Sequence, residues 1–219
     1  MKTAIFCDFD GTITRRDVGY SIFHHFSGGR NDELLPDWKA GRMTTRACLT
    51  LEAELVKATP EEVYRFIDQF EIDEGFIDFV ALCDSNGAPL LVASDGLDFY
   101  IRYILDKNNL SHLDIKTNVG KLENGTLKVE FPYDNISCPR CGVCKGERIQ
   151  QFRQKTDGEY KIVFVGDGYS DACATREADL IFAKKDLEQY CRDSNIPYVS
   201  YDTFFDVSRH LIEQGYLAR

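Results

Sequence analysis

The chain has no apolar run approaching the roughly 20 residues of a membrane span. An integral membrane protein is therefore not expected. Its N-terminus offers no signal-like apolar stretch either, because Asp8 interrupts the first one, and the expected location is cytoplasmic. Basic runs are missing, and 26 Lys and Arg against 36 Asp and Glu leave a net charge of -10. That removes the electrostatic footprint of a nucleic-acid binder. Internal repeats, low-complexity tracts and Gly/Ser linkers are also absent. Within 219 residues there is room for one sizeable core, or one core with a small inserted lobe.

Cysteine is not scarce, at eight residues. Five of them, Cys7, Cys48, Cys83, Cys173 and Cys191, stand singly in predicted strands or helices, where a free thiol packs as a small hydrophobe. The other three, Cys138, Cys141 and Cys144, form a cluster.

What is there begins with Ala4 to Thr14. A short apolar run stops at Asp8 and Asp10 and is followed by Gly11-Thr12, which predicts a buried parallel strand ending in a tight polar loop. In open α/β sheets the ligand crevice lies beyond the carboxyl ends of the strands, so both carboxylates belong at its floor. Two carboxylates spaced two apart repel unless a cation joins them, and hard oxygen ligands on a short span suit Mg²⁺.

Asp8-Phe9-Asp10-Gly11-Thr12 resembles the first motif of the haloacid dehalogenase superfamily, in its phosphatase branch. Leu90 to Gly96, an apolar strand ending in Ser94-Asp95-Gly96, resembles the second; Lys145, opening a helix, the third; Val163 to Asp171, with Gly166-Asp167-Gly168, the fourth. All four stand in the superfamily's order. The resemblance implies that Asp8 is the nucleophile, forming an aspartyl-phosphate, and that Asp10 protonates the leaving group and then activates water. It further implies Mg²⁺ held by Asp8, Asp167 and the Asp10 carbonyl, with Asp171 one layer out. Thr12, Ser94, Asp95 and Gly96 would hold the phosphate, with Lys145 as a point charge against it.

The implied fold is α/β, a doubly wound parallel sheet with an inserted all-helical cap and a β-hairpin: core at residues 1–15 and 73–219, cap at 16–72. Local signals agree. Val63, Phe66, Ile67 and Phe70 fall at helical spacing, and Thr59-Pro60-Glu61-Glu62 carries an N-cap, a first-position proline and a capping box. Phe76, Phe79, Val80 and Cys83 predict the next helix face, a strand is expected at 88–93, and Asn124-Gly125 marks a two-residue hairpin. A helix near 171–177 and strands at 179–182 and 197–201 complete the expectation. His24 and His25 are expected to put one ring in the packing and one in water.

Cys138, Cys141 and Cys144 have zinc-like spacing, but a closed site wants four ligands. Asp134 and His112 are candidates for the fourth, and an unmetallated or disulfide-linked loop is the equal alternative. The expected partner is a small-molecule phosphate ester. Asp17 stands nine residues after Asp8, where phosphoserine phosphatases carry a substrate-binding acid, whereas Glu52 falls where those enzymes need an Arg for the substrate carboxylate. A substrate without a carboxylate is therefore ranked first: an enol phosphate of methionine salvage or an amino-alcohol phosphate, with phosphoserine behind. A phosphoacceptor signalling module is the reading from a different class. Asp10 with Gly11-Thr12 and the helical insertion weigh against it.

Overall fold

The structure, a computed structural model, describes every residue except Met1, Asp134 and Ser137. Its strands are β1 (Lys2–Cys7), β2 (Leu90–Leu97), β3 (Asp114–Glu123), β4 (Thr126–Glu130), β5 (Tyr160–Gly166), β6 (Leu180–Ala183) and β7 (Val199–Ser200). Its α-helices are α1 (Val18–Ser27), α2 (Leu35–Lys39), α3 (Thr45–Leu55), α4 (Pro60–Ile67), α5 (Phe76–Ser85), α6 (Asp98–Lys107), α7 (Lys145–Lys155), α8 (Lys185–Asp193) and α9 (Phe204–Glu213). None is long and apolar enough to cross a membrane, among the described residues.

One sheet runs β4-β3-β2-β1-β5-β6-β7, parallel throughout except for the β3–β4 pair. Both faces are covered, which is why β1 and β5 read as continuous apolar runs. Ile5, Cys7, Val163 and Val165 point into one core, and Ala4, Phe6, Ile162 and Phe164 into the other. This is the period-2 alternation of a strand with a hydrophobic layer on each side. The order reverses at β1, whose neighbours β2 and β5 lead away in opposite directions, and a crevice opens beyond their carboxyl ends.

Between β1 and α5 every regular element is helical, among the described residues. The chain leaves and re-enters the core through an antiparallel bridge between Thr14 and Ile72. The capping box forms as expected, with Thr59 N donating to Glu62 Oε2 at 2.8 Å and Glu62 N to Thr59 Oγ1 at 3.3 Å. Val63 and Ile67 are buried beneath it. At the hairpin tip Asn124 and Gly125 have φ of 52° and 74°, the two positive values that a type I′ turn requires. The hairpin leans on the insertion through a Lys57–Thr126 bridge.

Three boundaries differ from expectation. β2 runs on through Ser94-Asp95-Gly96 to Leu97, its pairing with β3 interrupted between Ala93 and Leu97. The expected helix at 171–177 is replaced by two 3₁₀ turns, Tyr169–Asp171 and Ala174–Arg176, since Asp171 folds the chain back onto the N–H groups of Asp167 and Gly168. β7 is only two residues long, as Pro197 offers no donor to the ladder.

Candidate active site

The end of β1 is fixed by Asp8 N donating to Val165 O at 3.0 Å, which seats the Asp8 carboxylate at the crevice floor. Lys145, the first residue of α7, is fully buried and reaches it from behind. Its Nζ lies 3.0 Å from Asp8 Oδ1, 2.5 Å from Asp171 Oδ1 and 3.0 Å from Ser170 Oγ. Carboxylate oxygens of Asp8, Asp167 and Asp171 all lie within 4.8 Å of one another. Burial, and then repulsion from Asp171, push the Asp8 carboxyl well up from its ordinary value. Burial alone would pull Lys145 down, but the carboxylates of Asp171, Asp8 and Asp95 outweigh it and keep the ammonium charged. Asp171 is committed elsewhere as well, its Oδ2 accepting the Asp167 and Gly168 N–H groups at 3.0 Å each.

Asp10 is held by the start of α1. Its Oδ1 accepts from Val18 N at 2.9 Å and Gly19 N at 3.1 Å, two of the donors a helix N-terminus leaves free. Its Oδ2 accepts from Tyr100 Oη at 2.5 Å. Burial raises the Asp10 carboxyl, while these three hydrogen bonds pull it back. Tyr100 was missed in the sequence because its place on α6 reads as helix core. The signal was Gly96: a Cβ there would collide with Tyr100 Oη and lie 2.6 Å from Asp10 Oδ2, so only glycine leaves room for that bond. Gly11, at φ of 74°, likewise has no space for a side chain beside Asp167 Oδ2.

Of the residues expected on the phosphate, Ser94, Asp95 and Gly96 line the crevice. Ser94 Oγ accepts from Gly96 N at 2.9 Å. The Asp95 carboxylate is turned toward the segment before Lys145, accepting Val143 N at 2.6 Å, and burial pushes it up to about 6. Thr12 lies outside the crevice lining, fully buried, with Oγ1 donating to Asp167 Oδ1 at 3.2 Å, so it braces a carboxylate instead of facing the phosphate. Lys185, unsignalled in the sequence, places Nζ 3.0 Å from Asp167 Oδ2 and 3.1 Å from Gly11 O.

The insertion forms the opposite wall of a crevice of about 490 Å³, with Tyr20, Phe23, Trp38 and Leu49 among its apolar surface. Asp17 and Glu52 both reach this wall. Asp17 caps α1 through Tyr20 N at 2.7 Å; the surrounding protein and the Asp10 carboxylate raise its carboxyl, although the residue stays exposed to the crevice. Glu52 is buried, bonded to Asn31 Nδ2 at 3.4 Å, and burial pushes it up to about 7. At the mouth Lys39 of α2 reaches Asp186 of α8 at 3.8 Å. His24 and His25 take no part in the lining; both are exposed, stacked on Tyr20 and Phe66.

The sulfurs of Cys138, Cys141 and Cys144 converge within 4.8 Å of one another. Cys173, expected from the sequence to be a lone packing thiol, lies outside that trio but interacts electrostatically with the thiols of Cys141 and Cys144. His112 pairs with Asp84 at 3.8 Å on the surface and is not part of this group, and Asp134 lies outside the described residues.

The whole fold has solved counterparts. It superposes on a substrate-bound phosphoserine phosphatase complex with a TM-score of 0.73, at 19% identity over 96% of this chain and 98% of that one. It also matches cytosolic 5'-nucleotidase IIIB bound to cytidine, with a TM-score of 0.63 at 16% identity over 97% and 84%. Fold, crevice and sequence relatives together define a phosphatase of the haloacid dehalogenase superfamily. The chain belongs to the family described as "Putative Phosphatase", which matches residues 3–194. It is 30% identical over 220 residues to the 2-hydroxy-3-keto-5-methylthiopentenyl-1-phosphate phosphatase of Bacillus thuringiensis (strain Al Hakam), covering 97% of this chain and 99% of the relative. The identity is again 30%, over 225 residues, to the protein of the same name in Bacillus cereus (strain AH187).

Proposed function

We propose that the chain is a Mg²⁺-dependent phosphomonoesterase that works through an aspartyl-phosphate on Asp8, with residues 16–72 as a cap over a core of 1–15 and 73–219. The observation that carries this reading is the convergence of three carboxylates on the buried Lys145. Lys145 and Lys185 set two positive charges against three carboxylates, and the hard oxygen donors fit a divalent cation. Asp8, Asp167 and the Asp10 carbonyl would hold it, with Asp171 orienting Lys145 behind them. When bound, Mg²⁺ supplies positive charge that draws the phosphate in and polarises its oxygens.

An Asp8 oxygen attacks phosphorus as the bond to the leaving oxygen breaks, and Asp10 gives its proton to that oxygen. The Asp10 carboxylate then takes a proton from the water that attacks the aspartyl-phosphate. The Asp8–phosphorus bond breaks, releasing phosphate and restoring both carboxyl groups. The raised carboxyl of Asp10 suits this exchange, because it holds its proton to a higher pH than a free aspartate. Lys145, the Ser94 hydroxyl and the nearby N–H groups steady the phosphoryl oxygens.

The substrate we favour is the enol phosphate named for the Bacillus relatives, with phosphoethanolamine as the alternative. Glu52 on the crevice wall, once ionised above about pH 7, repels a carboxylate-bearing leaving group, and Trp38, Phe23 and Leu49 offer apolar surface to a methylthio group. A kcat/KM comparison over these two esters, phosphoserine and pyridoxal phosphate, with and without Mg²⁺, tests the reading. The enol phosphate should exceed phosphoserine by about tenfold or more. Glu52→Gln should narrow that gap. Best turnover of phosphoserine would overturn the substrate, and Mg²⁺-independent turnover the mechanism.

A further inference from the structure

Four thiols behind Lys145 take no part in that chemistry. Cys138, Cys141 and Cys144 gather within 4.8 Å, with Cys138 and Cys141 sulfurs 3.4 Å apart. Cys173, from the loop after β5, interacts with the thiols of Cys141 and Cys144 and with the N–H of Gly146, its sulfur lying outside the trio that converges within 4.8 Å. All four are free thiols. Thiols are weak hydrogen-bond partners, so mutual bonding is a poor reason to collect four of them. Around a zinc ion, by contrast, Zn–S bonds of about 2.3 Å set sulfurs roughly 3.8 Å apart.

The surroundings are built for such a centre. Among the described residues between β4 and α7 none lies in a helix or strand, yet several backbone groups there are tied down. Asn135 Nδ2 donates to the carbonyls of Cys141 at 2.7 Å and Gly142 at 3.2 Å, and its Oδ1 accepts from Cys144 N. The Glu147 carboxylate accepts from the N–H groups of Ile136 and Cys138. Outer hydrogen bonds of this kind orient metal ligands. One turn after Cys144, Arg148 is 8% exposed, and its Nη2 lies 3.5 Å from Glu147 Oε2. Its guanidinium lies over the Tyr133 ring of the same segment.

We propose that Cys138, Cys141, Cys144 and Cys173 bind one zinc ion, closing a structural site that locks together the two loops carrying Lys145 and Asp171. Cys144 immediately precedes Lys145, and Cys173 follows Asp171 by two residues. The metal therefore spans the base of the 2.5 Å Lys145–Asp171 pair. Soft sulfur ligands select zinc here, as the oxygen cluster selects a hard cation in the crevice. Binding displaces the thiol protons to solvent.

Elemental analysis of the full chain, purified without chelator, should find about one zinc per chain. The Co²⁺-exchanged protein should show sulfur-to-cobalt charge-transfer bands and the intense d–d bands of a tetrahedral thiolate site. Cys173→Ser should retain zinc at least about tenfold more weakly, whereas Cys191→Ala should retain it unchanged. A folded wild-type chain with no zinc and no cobalt–thiolate bands overturns the site, as does a Cys138–Cys141 disulfide in protein purified under reducing conditions. Undiminished zinc in Cys173→Ser overturns the fourth ligand. These readouts are of metal and not of turnover, so they fail independently of the phosphatase reading.

Discussion

The oxygen cluster in front of Lys145 and the sulfur cluster behind it are built from opposite materials and share one loop, the one after β5. Asp8, Asp167 and Asp171 repel one another and are held by charge, from Lys145, Lys185 and backbone N–H groups. The thiols are held by the folding of the segment around them. Each cluster is completed from the loop after β5, through Asp167 and Asp171 in one case and Cys173 in the other. The carboxylates announce themselves by charge at close spacing. The thiols show their purpose only when a residue distant in sequence arrives beside them.

Asp8→Asn breaks the front cluster alone. It should lower kcat by about 10⁴-fold or more, because it removes the proposed nucleophile without changing side-chain volume, and circular dichroism and zinc content should be unchanged. Brief EDTA treatment should separate the two clusters by affinity. Activity should fall by about 10²-fold or more and return with Mg²⁺, while the sulfur-bound metal stays in place. Simultaneous loss of both metals, followed over time by elemental analysis, would show that the clusters are not independent.

Smaller effects sharpen the contrast from outside. Tyr100→Phe removes one hydrogen bond from Asp10 and should reduce kcat about tenfold, with KM and both metal contents unaltered in steady-state and elemental measurements. Glu52→Gln tests the crevice wall through pH. The folded chain keeps the Glu52 proton up to about 7, while the unfolded chain releases it near 4.5. Stability from this group is therefore full below about 4.5 and is lost as pH rises toward 7. The Gln variant should show a flatter melting temperature across that window. Thr59→Ala, which loses one half of a capping box far from either cluster, should cost about 1 kcal/mol and lower the melting temperature by a few degrees without changing turnover.

Much of this was legible in the sequence where the signal is local. Asp8 and Asp10 close an apolar strand, Thr59 to Glu62 carry their own cap, and Asn124-Gly125 specify their own turn. The sheet followed from strands alternating with helices. What stayed hidden depends on contacts across the fold. Tyr100 is indistinguishable from helix core until the missing side chain of Gly96 admits its hydroxyl to Asp10. Lys185 stands 18 residues from the Asp167 it neutralises. Cys173 looks solitary because its sulfur partners lie in a different loop. Thr12 was placed by motif position, but its hydroxyl turns to Asp167.

The paired Thr14 and Ile72 backbones mean that the helical insertion begins and ends at one point on the core. For the sheet, the whole insertion is a single closed loop, and the entropy of closing a loop rises only with the logarithm of its length. Doubling it costs roughly 0.6 kcal/mol. Lengthening, shortening or replacing the helices beyond that bridge therefore places little thermodynamic burden on the strands that position Asp8 and Asp10. The crevice wall built by the insertion is thermodynamically freer to vary than the strands that carry Asp8 and Asp10.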